Sequence, residues 1–330
     1  MDIHDFTVIV LEDAYPTSVA VTLDILAAAA ALAQPARTST PRWRVCSVNG
    51  GCIQLQSGIS VATSKLPARA RDDRSTWIFP GMGIAQALAI APRLALADAR
   101  ALAMAIARHV AAGGQVAASC SSVFLLQAAG VLHGRRVTTS WWLAPLLKRT
   151  SGDTIVDADR MVCVDGPVVT AGAAFAQTDL MLHLLREHFG NALADAVART
   201  LIIDGRQAQA PFVVPEAFAS GDNLVAQLAA RIESALPDAP TVAELAREFC
   251  MTERTLSRHL QRATGKSTLA LLQSVKLRRA RELLETSRMT VEQVAEAVGY
   301  QDATALRRMM KRIAGANPSR YRAATLVARG

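Results

Sequence analysis

The sequence predicts a parallel α/β domain followed by an all-α domain, and three observations carry that expectation. Strand-like and helix-like runs alternate over the first two thirds of the 330-residue chain. A stretch at 205–222 bearing Pro211, Pro215 and Gly221 breaks the alternation. Beyond it only helical periodicity appears. The length suffices for two ordinary domains. Apolar residues make up 51% of the chain and aromatics only 5%, so Ala and Leu fill most apolar positions. Both lose little entropy in helices.

The elements follow in order. Residues 6–11 (FTVIVL) form a short β-rich run, 19–32 a helix and 43–48 (WRVCSV) a second strand. A third strand at 76–79 ends in Pro80-Gly81-Met82-Gly83. An Ala-rich helix over 98–112 stops at Gly113-Gly114, a common terminator. A buried strand at 115–118 runs into a helix over 121–129 closed by Gly130. Strands at 161–164 and 168–171 precede a helix over 175–189 closed by Gly190. Strands alternating with helices of this length imply a parallel sheet covered on both faces, a doubly wound architecture. After the linker the helices fall at 224–236, 242–249, 254–263, 268–285, 291–298 and 303–313.

Charge separates the two parts. From Asp238 onward there are 17 Lys and Arg against 9 Asp and Glu, whereas residues 1–237 hold 19 of each. The whole excess of +8 therefore sits in the helical part, as it does in a domain that meets a polyanion. The five cysteines are irregularly spaced with no CxxC, which excludes a disulfide framework and a zinc site and suits a reducing compartment. No histidine cluster has metal-ligand spacing, and no metal or cofactor is expected. Asp2 and Asp5 speak against a signal peptide. The most apolar run, 23–33, is broken by Asp24 and is too short to span a bilayer. A cytoplasmic chain without membrane contact is expected.

Two stretches of the helical part share one layout. In each, a Thr (Thr241, Thr290) caps a short helix whose inner face carries a small Ala (Ala246, Ala295). A tight turn follows at Cys250-Met251 and at Gly299-Tyr300, and a second helix begins after Thr252 or Asp302. Its apolar face is Leu256 and Leu260, or Leu306 and Met310, and its other face is basic and polar. That division suits a major-groove reader, which packs one face and offers Arg, Ser, Thr or Gln from the other.

The runs Arg278-Arg-Ala-Arg-Glu-Leu-Leu-Glu, Val294-Ala-Glu-Ala-Val-Gly-Tyr and Asn317-Pro-Ser-Arg-Tyr-Arg resemble the AraC/XylS regulators over roughly 222–325. The resemblance implies two hairpins (242–263 and 291–313) in successive major grooves, about 34 Å apart. It places Arg254, Ser257 and Arg258 of one helix, and Thr304, Arg307 and Arg308 of the other, against base edges. Gln261, Arg262, Lys311 and Arg312 are then expected at phosphates. Met310 departs from the usual Phe, and Met fills gaps well.

In the first part, Gln115-Val-Ala-Ala-Ser-Cys-Ser-Ser puts Cys120 where a strand turns into a helix. Backbone N–H groups at such a turn are expected to lower the pKa of a reactive thiol; the other reading is a small residue buried at a crowded turn, the more common role of a lone Cys. The surroundings resemble a PfpI-type, glutamine-amidotransferase-like domain of flavodoxin-like fold over about 5–200: residues 79–83, the Cys120 elbow, 132–141 and Thr170-Ala171-Gly172. Joined to the C-terminal part, this resembles the GlxA-type branch of the same regulators.

In the enzymes of that superfamily the elbow Cys works with a His and often a Glu. Here Ser140 and Ser18 occupy those slots, although Glu12, Asp13 and His133 lie near in sequence. A hydroxyl is too weak a base near pH 7. The resemblance therefore implies a binding pocket on an enzyme scaffold with no catalytic residue, lined by Gly81, Met82, Gly83, Cys120, Ser121, Ser140, Trp141 and Ala173. Backbone N–H groups at Ser121 and after Gly81 suit a carboxylate, and Trp141 or Trp142 a cationic group. An amine, amino acid or betaine is the effector class implied.

The expected organisation is a sensor domain at 1–204, a linker at 205–221 and a DNA-binding domain at 222–330. The expected function is that of a dimeric, ligand-responsive transcriptional regulator of double-stranded DNA, with activation the family's usual mode. Two other readings stay open: a cysteine-dependent hydrolase or lyase tethered to DNA, and a redox sensor acting through Cys120.

Overall fold

The computed structural model describes residues 4–67, 73–203, 223–264, 267–314 and 317–321. The linker expected at 205–221 falls outside them. The chain divides into two compact units, 1–206 and 207–330.

In the first unit β1 (Phe6–Ile9) is followed by α1 (Pro16–Leu32), β2 (Trp43–Ser47), β3 (Gly51–Gln54), β4 (Ser60–Lys65) and β5 (Thr76–Phe79). Next come α2 (Ile90–Leu94), α3 (Ala97–Ala111), β6 (Val116–Ser119) and α4 (Val123–Ala128), the last entered through a 3-10 turn at Cys120–Ser122. Then β7 (Arg136–Val137), α5 (Ala144–Thr150), β8 (Ile155–Val156), β9 (Val162–Asp165), β10 (Val168–Ala171), α6 (Ala176–Phe189) and α7 (Asn191–Thr200) complete the unit.

The described residues form an eight-stranded sheet in the order β3-β4-β2-β1-β5-β6-β10-β9. Neighbours from β4 through β10 run parallel, and only the edge strands β3 and β9 pair antiparallel. Strand periodicity sends alternate side chains to opposite faces. Trp77 and Phe79 join one core with Leu102 and Ile106 of α3, while Ile78 joins the other with Ile25 of α1 and Leu180 of α6. Both faces are thus covered, as the unbroken apolar strands predict. The edge hairpin β3–β4 and the short pair β7–β8 are additions that the alternation does not reveal.

The second unit is helical: α8 (Asn223–Ser234), α9 (Val242–Glu248), α10 (Glu253–Thr264), α11 (Thr268–Thr286), α12 (Val291–Ala297) and α13 (Ala303–Ala314). It has two separate cores. Leu245, Ala246, Leu256 and Leu260 build the first with Leu271 and Val275 of α11. Val294, Ala295, Leu306 and Met310 build the second with Leu277, Ala280 and Leu284 of the same helix. One long helix therefore serves both.

Candidate functional site

The two hairpins of the second unit are made alike down to their caps. Thr241 Oγ1 accepts from the Glu244 N–H (3.2 Å) while the Glu244 carboxylate accepts from the Thr241 N–H (2.8 Å), a reciprocal capping box. Thr290 and Gln293 repeat it at 3.2 and 2.8 Å. Each short helix then ends in a Schellman turn. Met251 N donates to Ala246 O and Cys250 N to Arg247 O, at 2.8 and 3.1 Å. Tyr300 N and Gly299 N do the same to Ala295 O and Glu296 O, at 2.8 and 2.9 Å. The left-handed residue of each turn is Cys250 (φ 53°) and Gly299 (φ 73°). Thr252 Oγ1 and Asp302 Oδ1 cap the second helices, accepting from Thr255 N (3.1 Å) and Ala305 N (2.7 Å).

The caps fix where α10 and α13 begin, and so which face each turns outward. Leu256, Leu260, Leu306 and Met310 are buried, as expected, with Met309 beside them. Arg254, Arg258, Gln261 and Arg262 are exposed at i, i+4, i+7 and i+8. Thr304, Arg308, Lys311 and Arg312 are exposed at the same spacing on α13, with Arg307 next to them. Each set forms one polar face. Two residues have local partners that spacing does not reveal. Ser257 is half-buried, its hydroxyl 3.3 Å from that of Thr268 on α11. Arg307 donates to Glu292 of α12 at 3.4 Å. Lys276 of α11 braces the second turn, its Nζ donating to Gly299 O (3.1 Å) and lying 4.9 Å from the Tyr300 ring centre.

In the first unit Cys120 stands at the end of β6 with φ 56°, a strained conformation for a side-chain-bearing residue. Its backbone is clamped: the N–H donates to Gly172 O and the carbonyl accepts from Thr139 Oγ1, each at 2.7 Å. Ser140 Oγ donates to Cys120 Sγ at 3.0 Å, so the slot that is His in the enzymes does meet the thiol. A Cβ built on Gly81 would lie 3.2 Å from Cys120 Cβ, 3.2 Å from the Tyr15 ring and 3.6 Å from Ser18 Oγ. Gly81, Tyr15, Ser18, Cys120 and Ser140 therefore converge. Tyr15 is a member that sequence reasoning missed, because its contact crosses from the β1–α1 loop to residues far along the chain.

The thiol corrects one expectation. Burial pushes the Cys120 pKa up, and the hydrogen bonds from Ser140 and Ser121 only partly offset it. The lowered pKa expected at a strand-to-helix turn does not arise, because complete burial penalises the thiolate and among the described residues no cation offsets it. Tyr15 is pushed the same way, first by burial and then by the neighbouring Cys120. The other candidate partners are engaged elsewhere. Glu12 accepts from the Gln54 N–H at 2.9 Å, and His133 is solvent-exposed and pairs with Asp153.

The remaining pocket residues divide. Ser121 is fully buried next to the thiol. Trp141 is buried and packs edge-on against Trp142, with ring centres 5.5 Å apart. Trp142 is half-buried and donates from Nε1 to Ala85 O at 2.9 Å. Met82 belongs to the core, and Gly83 is walled in by Asp13 and Gln56. Ala173 is half-buried beside Gly172. The polar side chains at the sulfur, Ser121 and Ser140, thus bring hydroxyls. In the folded protein at pH 7.5, Cys120 is expected to alkylate at least tenfold more slowly than the exposed Cys52 and Cys250, and unfolding should erase the difference. Mass spectrometry after timed iodoacetamide treatment reads this directly, and equal rates would contradict the burial.

Residues 245–324 match the Helix-turn-helix domain family and residues 90–187 the DJ-1/PfpI family. The chain is 26% identical to the HTH-type transcriptional regulator CdhR of Pseudomonas aeruginosa, over 86% of this chain and 82% of that one. It is 28% identical to the HTH-type transcriptional regulator GlxA of Rhizobium meliloti, over 64% of this chain and 65% of that one. An AraC family transcriptional regulator from Pseudomonas putida has the same fold over 60% of this chain and 99% of its own, at TM-score 0.51 and 20% identity. A DJ-1/PfpI-type α/β unit and a helical unit with two helix-turn-helix hairpins thus occur together in this chain.

Proposed function

We propose that this chain, which joins a DJ-1/PfpI domain to a helix-turn-helix domain of the AraC type, is a ligand-responsive transcriptional regulator that binds specific double-stranded DNA. The observation that carries the reading is the duplicated hairpin. Two hairpins with the same first-helix capping box, the same turn and the same spacing of outward polar residues stand on two cores joined by one helix. All the excess positive charge of the chain lies in that part. Arg254, Ser257, Arg258, Thr304, Arg307 and Arg308 are the base-facing residues in this reading, and Gln261, Arg262, Lys311 and Arg312 meet phosphates.

The first unit acts as the sensor and does no chemistry. A nucleophilic cysteine needs a base and a thiolate. Cys120 has Ser140 in place of the base, and burial holds its proton on. The hydroxyls of Ser18, Ser121 and Ser140 near Gly81 suit a small polar effector, and an amine, amino acid or betaine is the class we assign. The regulator works in the cytoplasm as a homodimer joined through the first unit, which sets two DNA-binding units at paired half-sites. Among the described residues no helix is long and apolar enough to cross a membrane.

A gel shift with the full-length protein and the duplex upstream of its own coding region tests the DNA half, and thermal melts over a panel of small metabolites test the sensor half. A retarded band that specific competitor removes is expected. So is a rise in melting temperature with one metabolite class, since a ligand that binds only the folded state stabilises it. Absence of any retarded band at low salt would overturn the reading.

A further inference from the structure

Lys276 stands where the two cores of the second unit meet. Val275, before it on α11, belongs to the first core, and Leu277, after it, to the second. Its ammonium group is half-buried and pairs with no acid among the described residues. Instead Nζ donates to Gly299 O at 3.1 Å and lies 4.9 Å from the centre of the Tyr300 ring. A third element reaches the same spot. A Cβ built on Gly299 would lie 2.1 Å from Pro237 O and 3.1 Å from Lys276 Nζ.

These residues belong to the approaches of both hairpins. Pro237 lies between α8 and Thr241, the cap of α9. Gly299 lies just ahead of Asp302, the cap of α13. The lead into the first hairpin thus rests on the turn of the second, and Lys276 ties that turn to the shared helix. The other side of the contact is tied to the same helix, since Glu233 near the end of α8 pairs with Arg278 of α11 at 2.8 Å.

Stability does not account for the ammonium group. Burial pushes its pKa down, so the charge is held there at a cost. An apolar side chain of similar length would fill the space without that cost. What it would not supply is direction. Hydrophobic packing is non-directional, whereas a hydrogen bond to a carbonyl fixes an angle.

We propose that Lys276, together with Pro237 and Gly299, sets the angle between the two recognition helices, and with it the spacing between the two blocks of base pairs that the chain selects. Lys276 is a positioning residue that acts through the Gly299 turn. This rests on the DNA-binding reading above. The competing role is a local brace for the end of α12. That role predicts a lower melting temperature for a Lys276 variant and an unchanged spacing preference.

The test uses full-length protein and a duplex that the wild type enriches from a randomised pool, with the two contact blocks located by hydroxyl-radical footprinting. Single base pairs are inserted or deleted between the blocks, and affinity is measured at fixed salt. The wild type should lose about tenfold or more on each change, because the second block leaves the position its helix meets. Lys276→Met should bind the original duplex several-fold more weakly, lose no more than about threefold further on the same changes, and keep its base preference within each block. Its melting temperature should stay near that of the wild type. Lys276→Arg, which can donate to the same carbonyl and stack on the same ring, should restore the wild-type profile. Lys276→Gln is uncharged and too short to reach Gly299; it should behave as Lys276→Met does and replaces it if that chain does not fold. If the wild type enriches no sequence, the DNA-binding reading itself falls. If it enriches one but tolerates every spacing, or if the folded variants keep the wild-type loss on a one-base-pair change, only the positioning role falls.

Discussion

A chain carrying both Arg258→Ala and Arg308→Ala is expected to bind its specific duplex about a thousandfold more weakly than the wild type. The two guanidinium groups hold equivalent positions on α10 and α13, one turn beyond Arg254 and Thr304, and both are exposed. Loss of one base-reading Arg costs about 1–3 kcal/mol, or roughly 5- to 150-fold. The residues stand on different helices with different cores, so their effects should nearly add. Each single variant should also relax preference at its own subsite and leave the other subsite as it was. Fluorescence anisotropy with labelled duplex at fixed salt is the measurement, since affinity without a stated salt concentration has no meaning here. Arg199→Ala in the first unit serves as the control for lost charge. If the double variant binds within twofold of the wild type, neither helix reads DNA through these residues.

The second large effect concerns Gly299. At φ 73° a Cβ there would lie 2.1 Å from the Pro237 carbonyl oxygen. That oxygen is backbone and cannot swing aside as a side chain would. The left-handed conformation alone costs an L-residue about 1–2 kcal/mol, and overpacking adds roughly 1–3 kcal/mol. Gly299→Ala should therefore destabilise the second unit by about 3 kcal/mol, a large part of the 5–15 kcal/mol typical of a domain. The tryptophans separate the two units, because all four (Trp43, Trp77, Trp141 and Trp142) lie in the first. Far-ultraviolet circular dichroism should show an early transition, while tryptophan fluorescence should melt as in the wild type. An unchanged dichroism melt would mean that the turn tolerates a side chain. Cys250, in the equivalent turn, shows that the backbone conformation itself can bear one; the Pro237 carbonyl is what sets Gly299 apart.

How much of this was legible in the residues depended on burial. The central strands announce themselves because they are apolar on both faces, and the run at 76–79 coincides with β5. The hairpin β3–β4 gave no signal, because Gly51, Cys52 and Gln54 are exposed at the edge of the sheet and follow no apolar period. Helices α2, α5 and α7 also lie outside the expected elements; α5 is a seven-residue helix that begins Ala144-Pro145. In the second unit both hairpins were readable, since cap, small residue, turn and apolar pair recur in the same order.

The site was legible in its parts and not in its energetics. The elbow position of Cys120 follows from local sequence, and the meeting with Ser140 from the resemblance to the PfpI-type domain. The direction of the thiol pKa does not, because it depends on what surrounds the sulfur, and here burial dominates. Tyr15 could not be found from spacing, since it meets Gly81 and Cys120 only once the sheet is assembled. The same holds for the Arg307–Glu292 pair, which joins two helices across a turn.

The helix shared by the two cores has a further consequence. Its 19 residues measure about 28 Å, close to one full winding of a B-form duplex. An added base pair between the two contact points would push the second away by about 3.4 Å and rotate it by roughly 35° about the duplex axis. If the two hairpins meet successive grooves as proposed, a single continuous rod can neither lengthen nor unwind to follow, and binding would gauge the pitch of the duplex as well as the letters written on it.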